Sequence, residues 1–265
     1  MPIRIAIHQT QGTPGDIDAN IAAAEEAAAR AKAGGAHLLI LPEMYLSGYD
    51  IGELAFELAE PAEGPNFKRM AEAARRHGIA LLYGHGETDE SGHCYNTATL
   101  IDSQGRRRLA YHKAHLYGDE ERAVFTAGGT LGVPVDLNGV MVGVLICYDV
   151  EFPEAVRTLA VQGAELICVP TALMVPNKAV PELVIPARAY ENGVFVAYGN
   201  RCGHETTLVY EGLSTVAAPD GSIVARAGKH EELLFADVDP RAYDDTRRLN
   251  PYLEDRRPDV YNAPS

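Results

Sequence analysis

The sequence has no tryptophan, only 4 cysteines, and fewer basic than acidic residues. Its 23 Lys and Arg stand against 37 Asp and Glu, a formal net charge of −14. That balance argues against a protein that tracks nucleic-acid phosphates, which needs a basic face. No apolar run approaches the ~18 residues of a membrane-spanning helix. No long apolar leader precedes the strand-like start Pro2-Ile3-Arg4-Ile5-Ala6, so the cytoplasm is the expected compartment. Cys94, Cys147, Cys168 and Cys202 form no CxxC pair, and in such a chain most are expected as buried thiols. A chain of 265 residues can bury roughly 70–75% of its unfolded surface and needs no staple to hold a core.

What is present is an alternation of short apolar runs with helical stretches. Ile3–His8 reads as a strand, and Asp18–Lys32 as an Ala/Glu-rich helix stopped by Gly34-Gly35. The run His37–Leu41 is apolar throughout, the mark of a strand covered on both faces. Phe67–His77 reads as a helix, Ile79–Tyr83 as a strand, and Tyr95–Ile101 with Arg108–His112 as a hairpin across Asp102-Ser103-Gln104-Gly105. Val140–Ile146 is again apolar and leads to a helix from Pro153, at its favoured first position, to Gln162. Leu166–Val169 and Val194–Tyr198 read as strands around a helix over Glu182–Glu191. A second hairpin spans Leu213–Ala227, and Leu233–Val238 closes the series. The expectation is one α/β domain over residues 1–238, with no linker or repeat. Residues 239–265 are polar and rich in Arg and Pro, and are expected as a tail, frayed or packed on the domain or a partner subunit.

Cys147 falls where the strand-like run Val142–Ile146 gives way to a helix, a turn from which a thiol can project at the C-terminal edge of a sheet. The arrangement resembles a nucleophile elbow without the G-x-S-x-G pattern. Read alone, the position suits a buried structural cysteine equally well. A thiol attacks as thiolate and needs a base or cation beside it. Glu43 ends the buried run after Leu41-Pro42; at a sheet edge its desolvated carboxyl would suit a general base, although alone it reads as a loop glutamate. Lys113, in Tyr111-His112-Lys113-Ala114-His115-Leu116, offers an ammonium to a thiolate or an oxyanion, or is simply a surface lysine. His112 and His115 lack a third ligand at suitable spacing, so no metal is expected.

Taken together, these residues resemble the nitrilase superfamily of carbon–nitrogen hydrolases, whose motifs are a Glu, a Lys and a Cys in that order. The matching stretches are Leu41-Pro42-Glu43, Tyr111–Leu116 and Ile146-Cys147-Tyr148-Asp149-Val150-Glu151-Phe152-Pro153-Glu154. Asn96-Thr97-Ala98, Arg188–Asn192 with Asn200, and Gly212-Leu213-Ser214 before Pro219-Asp220-Gly221 support the match, which covers nearly the whole chain. His112 stands where the family often has Arg before the lysine.

The resemblance implies an α-β-β-α sandwich, pairing through one helical face into an α-β-β-α-α-β-β-α dimer. It implies catalysis by Glu43, Lys113 and Cys147, with the backbone N–H of Tyr148 helping to hold an oxyanion. A second glutamate is implied at Glu121, with Glu120 adjacent and a slip of one left open. No metal or organic cofactor is implied, and the partner is a small-molecule amide. Within the family the chain is similar to 5-aminopentanamidase-type and stereoselective aliphatic amidase-type members. The stretch after Cys147 lacks the arginine common in members that take carboxylate-bearing substrates. Glu151 there would repel an acid if it faces the pocket, or is a glutamate at a helix start. Thr171 and Ala172, after the strand Leu166–Val169, and Tyr49 are further candidates for the substrate pocket. The expected substrate is a small aliphatic amide of an amino or ω-amino acid. The alternatives are an ω-amidase or N-carbamoyl hydrolase substrate, or a nitrile.

Overall fold

A computed structural model describes residues 2–261. Met1 and residues 262–265, the end of the expected tail, lie outside the described residues. Among the described residues the chain builds two large sheets and a two-stranded ribbon of His204–Glu205 with Leu208–Val209. In the first, the strand order is Glu232–Val238, Ile3–Gln9, Leu38–Ile40, Ala80–Thr88, Cys94–Ile101 and Arg107–His112, with the short Glu60–Pro61 beside Ala80–Thr88. The second runs Ile223–Arg226, Thr215–Ala217, Phe195–Gly199, Leu166–Pro170, Val140–Val144 and Val135–Leu137.

Side-chain alternation fixes which face goes where. Ile5 and Ile7 join Leu38, Ile40 and Leu82 in a core shared with Val142, Val144, Val196 and Tyr198 of the other sheet. Ala6, Leu39 and Leu81, one residue out of step, pack instead on the helices Ile17–Ala33 and Pro65–His77. Those helices present mostly alanine to the sheet, so their backbones approach closely. Asp16 caps the first helix by accepting the Ala19 N–H at 2.9 Å, and Gly78 ends the second in the left-handed conformation. The helices Pro153–Val161 and Ile185–Asn192 cover the second sheet through Ala155, Val156, Leu159, Ile185 and Ala189. The layers are therefore helix, sheet, sheet, helix, as the fold class implied.

Two elements differ from expectation, and the described tail takes one of its two alternatives. The strand expected over Ile79–Tyr83 runs on through Gly84 and Gly86 to Thr88, because those glycines accommodate neighbouring backbone rather than end a strand. A Cβ on Gly84 would stand 2.3 Å from the Met44 nitrogen. The helix expected from Glu182 is a wide turn over Val180–Val184, closed by the Ile185 N–H on the Val180 carbonyl. Pro186 follows directly and has no N–H for the Glu182 carbonyl. Beyond Val238 the described tail is folded rather than frayed. It forms a helix over Asp244–Leu249, its Arg247 donates to the Gly193 carbonyl at 2.8 Å, and Tyr252 packs edge-on against Tyr190.

Candidate active site

Glu43, Lys113 and Cys147 all stand where a strand has just ended at one rim of the two sheets. Glu43 follows Leu38–Ile40, Lys113 follows Arg107–His112, and Cys147 opens a 3₁₀ turn after Val140–Val144. Two of these positions carry unusual backbone. Cys147 itself has φ of 46° and Met44, next to Glu43, has φ of 48°, the left-handed region that non-glycine residues rarely enter. The sharp turn expected at Cys147 is therefore present.

The carboxylates and the ammonium form one buried chain. Lys113 is 0% exposed, and its Nζ donates to Glu43 Oε1 at 2.7 Å and to Glu121 Oε1 at 2.6 Å. Asn96 Nδ2 donates to the same Glu43 oxygen at 2.7 Å, while Glu43 Oε2 has no hydrogen-bond partner among the described residues. Glu121, not Glu120, is thus the second glutamate in contact with Lys113. It also accepts the Tyr49 hydroxyl at 2.6 Å and the Tyr117 N–H at 2.7 Å. Glu120, one residue away, is exposed.

Burial governs the protonation of this group. It pushes the Glu43 carboxyl above the ordinary carboxylate value, helped by the charge of Glu121 and opposed by Lys113 and Asn96. For Lys113 burial pulls the other way, but the charges of Glu43, Cys147 and Glu121 outweigh it and hold the side chain as ammonium. The Cys147 thiol is pushed well up, first by burial and then by Glu43, while Lys113 and the Ala172 N–H pull it back. Burial thus favours a neutral thiol at Cys147, beside the Glu43 carboxyl with its unpartnered Oε2 and the fixed Lys113 cation. Such a group can move a proton from sulfur to carboxylate as the sulfur attacks.

Cys147 opens into a cavity of about 50 Å³ lined by Tyr49, Tyr117, Tyr148, Glu151, Ala172 and Met174, among others. Tyr49, Tyr148, Glu151 and Ala172 line this cavity with Cys147, and Glu151 is half-buried with its carboxyl raised chiefly by burial. Thr171 does not: it is fully buried and turns its hydroxyl onto the Val169 carbonyl at 3.0 Å. Among the described residues, no three His, Cys, Asp or Glu side chains cluster so as to hold a metal.

Several supporting residues carried no signal of their own in the sequence. Arg201, 1% exposed, donates to the carbonyls of Gln11, Glu43 and Met44 at 2.8, 3.0 and 2.6 Å. Its Nη1 lies 3.5 Å from Glu205, whose carboxylate also accepts the N–H groups of Tyr49 and Asp50. Asp149, two residues past the cysteine, accepts from Tyr111, His115 and Ile146.

A buried carboxylate–ammonium–thiol group on an α-β-β-α sandwich defines a class of cysteine-dependent hydrolases, and comparison with known proteins agrees. The profile of the carbon-nitrogen hydrolase family matches residues 4–248, and the chain belongs to that family. It is 46% identical over 261 residues, 98% of this chain and 91% of the other, to a hydrolase from the pqqF 5' region of Pseudomonas protegens. An (R)-stereoselective amidase from a Pseudomonas species is 36% identical over 256 residues, 96% of this chain and 92% of its own. An amidase from Nesterenkonia sp., solved with the acetamide moiety of fluoroacetamide on its active-site cysteine, superposes with a TM-score of 0.89 at 36% identity. The match covers 97% of this chain and 95% of that one. The protein is accordingly a carbon–nitrogen hydrolase. No helix among its described residues is long and apolar enough to cross a membrane.

Proposed function

We propose that the protein hydrolyses a small aliphatic amide, one with a neutral or amino-bearing chain, to carboxylate and ammonia through a thioester on Cys147. The observation that carries this reading is the Lys113 ammonium held between Glu43 and Glu121 beside Cys147, with Glu43 Oε2 left unpartnered. In the first half-reaction, Glu43 takes the thiol proton as sulfur attacks the carbonyl carbon. The Lys113 ammonium and the Tyr148 N–H hold the oxyanion, one such donor being worth about 3–4 kcal/mol. Glu43 returns its proton to the nitrogen, the C–N bond breaks, and ammonia leaves. In the second, Glu43 takes a proton from water, the hydroxide attacks the thioester, and the carboxylic acid departs as the thiol is restored. Glu121 positions Lys113. The steps need neither metal nor cofactor.

Charge supports the choice of substrate. The residues lining the cavity at Cys147 and the larger chamber next to it include Glu151, Asp50, Glu120 and Glu121 but no arginine or lysine. A carboxylate-bearing substrate, as an ω-amidase or N-carbamoyl hydrolase would take, meets only like charge there. We further propose that two copies pair through the helices Pro153–Val161 and Ile185–Asn192 and the turn Val180–Val184 before the second, where Val161, Tyr190 and Leu183 are exposed; light scattering on the purified chain tests this.

Ammonia release from propionamide, 5-aminopentanamide, glutaramate and an N-carbamoyl amino acid, each nitrile being run beside its amide, tests the reading. Turnover of the neutral and amino amides is expected. Cys147→Ala should abolish it without lowering the unfolding midpoint, and mass spectrometry of quenched wild-type protein should find an acyl adduct on Cys147. Preference for the acids would overturn the charge argument, and turnover by Cys147→Ala would overturn the mechanism.

A further inference from the structure

The space at Cys147, about 50 Å³, is the smaller of two spaces that share walls, and it would hold the reacting end of an amide. A second chamber of about 260 Å³ adjoins it, well above the ~150 Å³ apolar cavity that suffices to bind benzene. Tyr49, Tyr117 and Met174 line both spaces and so stand at the boundary, or neck, between them. Beyond the neck the wall is largely apolar, with Ala55, Val124, Phe125 and Leu208, and carries the carboxylates of Asp50 and Glu120.

The neck is held on several sides. The Tyr49 hydroxyl is fixed on Glu121, its N–H on Glu205 and its ring edge-on to Tyr210 at 6.5 Å. The Tyr117 N–H is tied to the other Glu121 oxygen, and its ring meets the edge of Tyr148 at 5.2 Å. Met174 is bridged through its backbone to Tyr210. Glu121 thus fixes both tyrosines of the neck while it holds Lys113, so the width of the passage and the position of the ammonium are set by one carboxylate.

Resting on the amidase reading above, we propose that the outer chamber is a second substrate subsite. It takes the far end of an unbranched acyl chain that passes between Tyr49, Tyr117 and Met174 while the carboxamide sits at Cys147. An apolar wall gains from each methylene it removes from water, roughly three- to fourfold in kcat/KM per methylene fully buried. Two tethered tyrosines at that boundary favour a linear chain over one branched where it passes between them. Asp50 and Glu120 tolerate a neutral or ammonium end and oppose a carboxylate.

The test is kcat/KM over the linear primary amides from acetamide to hexanamide, with 6-aminohexanamide and the monoamide of adipic acid as the charged ends. A rise of at least tenfold from acetamide to hexanamide is expected. The ammonium end should match or exceed hexanamide, and the carboxylate end should fall at least tenfold below it. Leu208→Trp and Val124→Trp fill the chamber from two separate elements, so one folding defect does not decide the result. Each should lower the hexanamide-to-acetamide ratio at least fivefold. A ratio that is flat in the wild type, or unchanged in both variants, overturns the subsite while leaving the amidase reading intact. Failure to release ammonia from any amide overturns both.

Discussion

The Asp149 carboxylate accepts both the backbone N–H and the ring Nδ1 of His115, at 2.9 and 2.7 Å. It also takes the Tyr111 hydroxyl at 2.8 Å and the Ile146 N–H at 3.1 Å, with no exposure of its own. Ile146 precedes the nucleophile, and Tyr111 and His115 flank Lys113. One buried carboxylate therefore ties the turn that carries the thiol to the segment that carries the ammonium. The same His115 ring stacks on Phe152 at 4.0 Å, and Phe152 meets Tyr148 in the cavity wall.

Asp149→Asn replaces an acceptor-only group with an amide whose NH₂ faces donors. Hydrogen bonds to a charged group are worth about 1.5–3 kcal/mol each, and stranded buried donors cost more than a lost bond. The variant should lose about 2–4 kcal/mol of stability. Because the thiol and the ammonium then lose their common anchor, kcat should fall at least tenfold with little change in KM. Urea unfolding and steady-state kinetics read the two effects; an unchanged kcat would show that the tie does not position the reacting groups.

The pH profile of kcat/KM should be a single acid limb. Glu43 must be ionised to accept the thiol proton, and burial raises its carboxyl above 4.5, so activity is lost as the pH falls through that raised value. Lys113 is held as ammonium beyond its ordinary value, and the thiol is pushed upward, so neither opens an alkaline limb below about pH 9. Glu43→Gln should cost roughly 10²–10⁴ in kcat and remove the acid limb from whatever activity remains. A limb that persists in Glu43→Gln assigns the titration to another group.

Gly84→Ala should damage the site from a strand that holds no reacting residue. The added Cβ would lie 2.3 Å from the Met44 nitrogen and 2.7 Å from the Pro42 carbonyl, the two neighbours of Glu43. These are backbone atoms on a segment held by Arg201, so they do not give way as a flexible side chain would. Overpacking of this kind costs about 1–3 kcal/mol, and the displaced Glu43 should cost at least as large a factor in kcat as in stability. A variant with wild-type Tm and kcat would show that the segment can shift freely.

How far the sequence reveals this site depends on which residues stand at strand ends. Leu38–Leu41, the run up to His112 and Val140–Ile146 have clear apolar patterning, and Glu43, Lys113 and Cys147 follow directly from where each pattern stops. Glu121 and Glu120 are indistinguishable by composition and separated only by which face of the helix Gly118–Val124 turns inward. Thr171 and Ala172 part for a related reason: past the strand Leu166–Pro170, Ala172 faces the cavity and Thr171 turns its hydroxyl inward onto Val169. Nothing in the sequence marks Gly84 as part of the strand, because its role is steric and involves a segment some forty residues away. Arg201 sits in the irregular stretch after Gly199 and Glu205 in a two-residue strand beyond it, both too short for any periodicity to say that either is buried.

Arg201 is the residue on which that stretch depends, and it offers the last test. Its guanidinium satisfies three carbonyls from two separate segments and lies 3.5 Å from Glu205, which in turn fixes Tyr49 and Asp50. Removing one partner of a buried ion pair costs about 3–5 kcal/mol because the other is left without compensation. Arg201→Met should therefore lower the urea midpoint sharply, with Glu205 and the Glu43 and Met44 carbonyls stranded. Replacing both residues, Arg201→Met with Glu205→Met, should cost less than the sum of the two single changes, since no lone charge remains. Strict additivity in that double-mutant cycle would mean that the two side chains stabilise the site independently, and that the base and the cavity wall are not braced by a shared pair.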